Sequence, residues 1–294
     1  MKKVVLAGGT GFIGEYLKSK FIKMDYEVKI ISRQKQHVSW DDPQAMKDAL
    51  EGAELLINLA GKSVNCRYNE NNKREIVNSR IRTTTVLGEV IQSCSNPPEI
   101  WMNSSTATIY RHAEDRPMTE DTGEIGSGFS VEVAEKWEES FFSFNLPETR
   151  QIALRIAIVL GEGGGVMTPY QNLVRFGLGG NQGTGTQKFS WIHIEDLLHI
   201  ILFLKDKKEL SGVFNCSAPH PVSNRELMAG LRKTMRVPFG FPSPKWILEI
   251  GSLLIRTETE LVLKSRWVLP ERLEREGYVF KFKTIDETLE NIIN

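Results

Sequence analysis

The stretch that most constrains the fold lies at positions 4–14. There the short apolar run Val4-Val5-Leu6-Ala7 breaks into Gly8-Gly9-Thr10-Gly11-Phe12-Ile13-Gly14 and reopens as a helix. A strand, a glycine-rich turn and a helix in this order form a seat for a nucleotide cofactor. Gly8 lets the chain turn sharply out of the strand, Gly11 has no Cβ to hold a pyrophosphate off the backbone, and Gly14 lets the helix pack close to the strand. Unpaired N–H groups at the helix start, with the positive end of the helix dipole behind them, bind an anion without any basic side chain. Thr10, Phe12 and Ile13 complete the expected cofactor contacts of this turn.

A chain of 294 residues buries a large core and has room for one large or two modest domains. Lys+Arg and Asp+Glu both number 37, so no basic field draws nucleic acid or an anionic membrane, and neither partner is expected. No apolar run approaches a membrane span, and the sequence opens directly on a strand without a charged leader, which reads as cytoplasmic. Cys66, Cys94 and Cys216 are scattered, without a CxxC pair or a neighbouring His. They read as buried or half-buried thiols rather than a zinc site or a disulfide framework. Nothing in the composition fixes an oligomeric state.

Strands and helices alternate through the first two-thirds of the chain, the pattern of an α/β doubly wound parallel sheet. Ile13, Leu17, Phe21 and Met24 share one face of a helix from Phe12 to about Met24. The strand Glu27–Ile31 ends in Ser32-Arg33. An acidic residue at this place accepts hydrogen bonds from the adenosine ribose of NAD, whereas an arginine pairs with a 2′-phosphate, so Ser32 and Arg33 favour NADP; the alternative is a solvated arginine at a strand end. Asp41 is a candidate for the adenine amino group, and Asp42 for a helix cap ahead of Pro43. The buried strand from Glu54 closes in Asn58-Leu59-Ala60-Gly61, and Leu59, Ala60 and Gly61 are expected to lie along the cofactor.

A polar helix from about Glu70 to Cys94 carries Lys73 and Arg80. Both are candidates to bind an anionic substrate group, or simply solvated charges. The strand from Ile100 ends in Ser104-Ser105-Thr106, at the carboxyl end where open parallel sheets hold their chemistry. A helix Phe129–Phe144, a strand Thr149–Val159, a helix Pro169–Phe176 and a strand Phe189–Ile194 follow. Gly177–Gly185 reads as a mobile lid or crossover loop. After the strand Val213–Cys216 the pattern changes at 218/219, separating a body of residues 1–218 from a smaller, mainly helical lobe of residues 219–294 that covers the cleft. Two capping boxes, Ser223–Glu226 and Thr284–Glu287, start helices in that lobe, and Pro238, Pro242 and Pro244 punctuate it.

Gly8-x-x-Gly11-x-x-Gly14 with strand–helix alternation resembles the extended short-chain dehydrogenase/reductases, which include nucleotide-sugar epimerases and dehydratases. Asn58-Leu59-Ala60-Gly61, Asn78-Ser79-Arg80, Trp137-Glu138, Gly177-Leu178-Gly179-Gly180, Ser190-Trp191-Ile192-His193-Ile194 and Pro270-Glu271-Arg272-Leu273 resemble an atypical "epimerase family" subgroup, also labelled cell-division-inhibitor-like, over the whole chain. The resemblance implies a Rossmann body, NADP, and a C-terminal domain of unknown function. The larger group carries Tyr-x-x-x-Lys on the helix after the Ser-bearing strand, where Tyr moves the proton and Lys lowers its pKa. With Glu138 in register, the Tyr position falls on Ser130 and the Lys position on Ala134, so the pair is absent.

In its place, Ser104 and Ser105 are candidates to orient a substrate carbonyl. Tyr110 is the first candidate proton donor, with Arg111 or Lys136 as its cation, and Glu132 is the second. His193, between two isoleucines, reads as a hydrogen-bonder beneath the site rather than an acid–base group. Two functions follow: an NADP-dependent oxidoreductase or epimerase acting on a small or sugar-nucleotide-like hydroxy or carbonyl substrate, or a non-catalytic NADP(H)-binding regulatory protein.

Overall fold

The alternation of side chains along the first strand dictates the layering. In the computed structural model, which describes residues 2–243 and 263–294, β1 (Lys3–Ala7) sends Val4 and Leu6 to one face and Val5 and Ala7 to the other. All four are fully buried, and a strand buried on both faces needs helices on both sides. On one side Val4 and Leu6 meet Leu17 and Phe21 of α1 (Phe12–Lys23) and Leu197, Leu198 and Ile201 of a later helix. On the other, Val5 and Ala7 meet Met46 and Leu50 of α2 (Pro43–Leu50), Leu87 and Ile91 of α3 (Glu70–Ser93), and Phe141 of α4 (Phe129–Phe142).

The remaining strands of the main sheet are β2 (Glu27–Ser32), β3 (Val38–Ser39), β4 (Leu55–Asn58), β5 (Ile100–Thr106), β6 (Arg150–Ile156) and β10 (Gly212–Cys216). Their order is β10-β6-β5-β4-β1-β2-β3, and every pairing is parallel. The chain runs outward from β1 to β3 and then returns to β4 on the opposite side of β1. Connections therefore leave β1 and β4 toward opposite faces, and the crevice above their carboxyl ends is where such a sheet binds its ligand.

Two expected strands each divide in two. The segment 149–159 continues past β6 as β7 (Ile158–Leu160), which leaves the main sheet for β9 (Trp191–His193); the Ala157 N–H, at the break, still donates to the carbonyl of Cys216. The segment 189–194 contributes Phe189 to β8 (Lys188–Phe189), paired antiparallel with β11 (Val222–Ser223). His193 ends β9 and caps α6 (Ile194–Asp206), its Nδ1 accepting the Glu195 N–H at 3.1 Å. Helix α5 (Met167–Arg175) starts before Pro169, which is tolerated in a first turn whose N–H groups have no helical partner.

Both capping boxes form as expected, opening α7 (Asn224–Thr234) and, after α8 (Glu271–Arg275), α9 (Ile285–Ile293). The packing nevertheless crosses the 218/219 boundary. Leu273, Tyr278 and Phe280 enter the core of Val4 and Leu6, and Leu227, Leu231, Leu289 and Ile292 pack with Met167 and Trp191. The loop 177–185 is tied to residues 241–243 by four backbone hydrogen bonds of 2.8–3.1 Å, which makes it a fastened connection. Pro244 lies outside the described residues. Among the described residues, no helix is long and apolar enough to cross a membrane, and no group of His, Cys, Asp and Glu gathers to hold a metal. All three cysteines are free.

Candidate functional site

The three glycines of the turn are required for different reasons. Gly8 has φ +76°, and a Cβ there would lie 2.6 Å from the Ala60 backbone. A Cβ on Gly14 would lie 2.5 Å from the Gly9 carbonyl group. At Gly11, by contrast, an added Cβ meets nothing within 4 Å, and the backbone is in the extended region at φ −91° and ψ 179°. Packing therefore explains Gly8 and Gly14, while at Gly11 only the open space above it calls for glycine. Gly11 is also the N-cap of α1 and brings no side-chain cap bond. The leading N–H groups of that helix remain available to an anion.

A continuous cleft runs across this turn. One compartment, of about 870 Å³, is lined by Thr10, Ser32, Arg33, Trp40, Asp41 and Ala60 among others. The other, of about 560 Å³, is lined by Phe12, Ile13, Tyr68, Arg80, Ser104, Ser105, Ser130, Ala134 and Trp137 among others. Gly8, Gly11, Leu59 and Gly61 belong to both. Pockets of a few hundred to about 1,000 Å³ hold ligands of cofactor size, so the turn lies between two halves that together suit a dinucleotide. In the first half the buried Ser32 hydroxyl is committed to the Gln34 N–H at 3.0 Å and to His37 Nδ1 at 2.9 Å. Arg33 and Asp41 are exposed on the rim, Asp41 3.7 Å from Arg82, and Asp42 caps α2 through the Ala45 N–H.

The β4 tip is held from beneath by a buried amide network. Asn58 Oδ1 accepts the Ala60 N–H at 3.0 Å, and its Nδ2 donates to Asn103 Oδ1 at 2.6 Å and Thr84 Oγ1 at 3.1 Å. Thr84 also receives the indole N–H of Trp137 at 3.0 Å. These bonds join the Asn58–Gly61 tip, β5, α3 and α4 at one point, which no spacing in the sequence announces.

At the end of β5 the two serines part. Ser105 Oγ donates to Glu138 at 2.5 Å, and Glu138 forms a two-pronged ion pair with Arg155, Nε at 2.8 Å and Nη2 at 2.7 Å. Burial works against the Arg155 charge, but the hydrogen bonds and charge of Glu138 outweigh it and hold the guanidinium above its ordinary pKa. Arg155 Nη1 donates to the Tyr110 hydroxyl at 2.9 Å, which in turn donates to Asn215 Oδ1 at 2.9 Å. Ser105 is thus positioned by a chain of buried polar groups running to β10. Ser104 Oγ and Ser130 Oγ, by contrast, are buried on the second compartment's residues with no hydrogen-bond partner.

This arrangement corrects both proton-donor expectations. Tyr110 is 1% exposed, and its phenol is a structural link between Arg155 and Asn215. Burial pushes its pKa up despite the adjacent guanidinium, so it does not serve as an acid–base group of the cleft. Arg111 is spent on Asp115 and Glu124 at the surface. Glu132 is on the exposed side of α4, because Val131, Val133, Ala134 and Trp137 take up its buried side. Lys73 pairs with Glu70 at 3.1 Å. His193 stacks on Phe282 at 3.8 Å and shares a bond with Asn291, and burial lowers its pKa. The aromatic hydroxyl of the second compartment is Tyr68, with its ring edge-on to Phe129 at 5.0 Å. Sequence reasoning missed it because it sits in an irregular loop ahead of α3. Ser130 and Ala134 of α4 both line the compartment.

Comparison with known proteins agrees with this geometry. The model of the NAD dependent epimerase/dehydratase family matches residues 4–129, and that of a domain of unknown function, DUF1731, matches residues 243–292. An epimerase family protein of Staphylococcus saprophyticus is 30% identical, with all of both chains covered. The human epimerase family protein SDR39U1 (isoform 2), solved with NADPH, superposes with a TM-score of 0.90 at 29% identity, covering 99% of this chain and 98% of that one. A nucleoside-diphosphate sugar epimerase from Corynebacterium glutamicum gives a TM-score of 0.78 at 26% identity, covering 98% of this chain and 57% of that one. With its NAD(P)-binding, oxidoreductase-like Rossmann fold and the DUF1731 segment that follows, the chain belongs to the epimerase family.

Proposed function

We propose that this protein is a cytoplasmic NADP(H)-dependent oxidoreductase that acts on a small carbonyl or hydroxy compound in the compartment beyond Gly11. The observation that carries the reading is the pair of buried hydroxyls, Ser104 Oγ and Ser130 Oγ, left without partners beside an open turn. An unsatisfied buried hydroxyl costs about 1–3 kcal/mol, and a bound ligand oxygen between them removes that cost. The residues present fit the cofactor: the open space at Gly11, the uncapped start of α1, and Arg33 on the adenosine rim beside a strand end that bears no acid. NADPH, when bound, supplies two electrons as a hydride from its nicotinamide ring. The chain's own part is to hold the substrate oxygen on Ser104 and Ser130, to carry the proton through Tyr68, and to exclude water with Phe129, Val133 and Trp137. The NADPH seen with the human relative supports the choice of cofactor.

One observation favours a second reading, a regulatory protein that binds NADP(H) without turnover. Ser130 and Ala134 line this compartment, and neither side chain can supply the acid–base pair that the sequence register would assign to them. A screen of carbonyl compounds with NADPH separates the two. The oxidoreductase reading expects an activity that Ser104→Ala with Ser130→Ala, and separately Tyr68→Phe, reduce by roughly 10²–10⁴-fold with NADPH affinity unchanged. Tight NADPH binding with no turnover across the screen, and no gain from Ser130→Tyr with Ala134→Lys, leaves the regulatory reading.

A further inference from the structure

Arg80 is a half-buried charge on the lining of the second compartment that no carboxylate among the described residues compensates. Its guanidinium lies between two surfaces: Trp137, whose ring centroid is 5.0 Å from Cζ, and the Gly61 backbone, where an added Cβ would come within 3.1 Å of Cζ. Gly61 is not one of the glycines with positive φ, so the guanidinium, rather than a turn, is what occupies the space a side chain there would need. One end of the fork is satisfied, since Nη1 donates to the carbonyls of Lys62 and Ile76, both at 3.1 Å. The Nε–Nη2 edge has no hydrogen-bond partner among the described residues, and no carboxylate among them lies within ion-pair distance. Burial, opposed by a smaller favourable interaction with Tyr68, pushes the guanidinium pKa down to about 10, the direction expected of a cation removed from water without a carboxylate partner.

The same molecule displays the alternative. Arg155 is buried where Arg80 is half-buried, and its Nε–Nη2 edge is filled by both oxygens of Glu138 at 2.8 and 2.7 Å. That edge of a guanidinium matches a carboxylate in spacing and in charge. The other cation on the lining, Lys62, is already spent on Glu75 and Asn72. Ile76, Phe129, Val133 and Val64 add apolar surface to the same lining, beside hydroxyl groups that include Ser63, Thr106 and Thr108.

We infer that the Nε–Nη2 edge of Arg80 receives the carboxylate of the substrate, which makes the substrate class small oxo or hydroxy carboxylates with an apolar body. The inference rests on the oxidoreductase reading and narrows it: carboxylate on Arg80, reacting oxygen at Ser104 and Ser130, and apolar body against α4. A lone guanidinium suits a monoanion. A phosphate dianion calls for a second cation, and the other one on this lining, Lys62, is committed to Glu75.

The test is calorimetric titration of the protein saturated with NADP⁺, the oxidised cofactor, so that the oxo probes bind without being reduced. The probes are 4-methyl-2-oxopentanoate, phenylpyruvate, the neutral 4-methyl-2-pentanone and inorganic phosphate. At least one of the two carboxylates is expected to bind. Arg80→Met should weaken it roughly 10- to 100-fold, and Arg80→Lys, which keeps the charge but not the edge, should fall between. Affinity for the neutral ketone and for NADP⁺ should stay as in the wild type. Absence of carboxylate binding to the wild type overturns the inference, as does an equal loss for the ketone or phosphate binding tighter than either carboxylate. A fall in NADP⁺ affinity in Arg80→Met also overturns it, because the edge then serves the cofactor. If Arg80→Met does not fold, Arg80→Lys carries the same comparison. Failure of the wild type to bind NADP⁺ removes the oxidoreductase reading, while the carboxylate titration of the cofactor-free protein still reports on Arg80.

Discussion

Two glycines of one motif are expected to fail in opposite ways when given a side chain. At Gly11 the backbone angles, φ −91° and ψ 179°, are ordinary for a β-branched residue, and an added Cβ touches nothing within 4 Å. The added Cβ of Gly11→Val therefore meets no contact, and the gain of about 0.4–1 kcal/mol from restricting the unfolded chain is offset by Val being a poorer N-cap for α1 than Gly, so stability should stay near that of the wild type. The same side chain occupies the space above the α1 N-terminus. If it keeps a pyrophosphate from two charge-assisted N–H bonds of about 1.5–3 kcal/mol each, NADPH affinity falls by roughly 10²–10⁴-fold. At Gly8 the φ of +76° carries a penalty of about 1–2 kcal/mol for any other residue, and the new Cβ, 2.6 Å from Ala60, forces β1 and the β4 tip apart. Gly8→Ala should lower the melting temperature by several degrees before any ligand is added. Thermal melts and NADPH titrations of the two variants side by side make the comparison. If Gly11→Val binds NADPH within threefold of the wild type, or melts as early as Gly8→Ala, the assignment of Gly11 to the ligand is wrong.

Arg33→Ala should narrow the preference for NADPH over NADH by about tenfold, measured as the ratio of the two dissociation constants; an outright preference for NADH in the wild type reduces the arginine to a surface charge. Glu138→Ala strands a buried Arg155 and should cost about 3–5 kcal/mol in urea unfolding. Glu138→Leu with Arg155→Met should recover most of that loss, and equal stability of Glu138→Ala and wild type refutes the pairing. Burial holds the His193 pKa below its ordinary 6.5, so as pH falls through that value the unfolded chain takes a proton that the native one refuses, and stability drops. His193→Asn keeps a side-chain cap for α6 and should flatten part of the decline in melting temperature between pH 7 and pH 5; parallel curves for the two proteins rule out this origin.

The readings that held depend on residues close in sequence. The glycine turn, the two capping boxes and the Asp42 cap are short-range geometry: each needs only a few neighbours to satisfy a few backbone groups, so each is written in consecutive residues. The alternation of buried strands and amphipathic helices likewise specified a doubly wound sheet. What failed was the choice of proton donors. Tyr110 and Glu132 were chosen for chemistry and distance along the chain. Tyr110, however, is claimed by Arg155 and Asn215, which lie 45 and 105 positions away, and Glu132 is turned outward by the packing of Val131, Val133 and Trp137.

Sequence alone thus determined the sheet and the seat for a dinucleotide, because local periodicity and turn chemistry carry that information. Only the tertiary structure decided which polar groups are spent and which are spare. Glu138 answers Arg155 and Ser105, whereas the Nε–Nη2 edge of Arg80 and the hydroxyls of Ser104 and Ser130 are left without partners among the described residues. Whether a buried charge or hydroxyl is satisfied depends on groups brought together from distant parts of the chain, and no pattern of neighbouring residues encodes it.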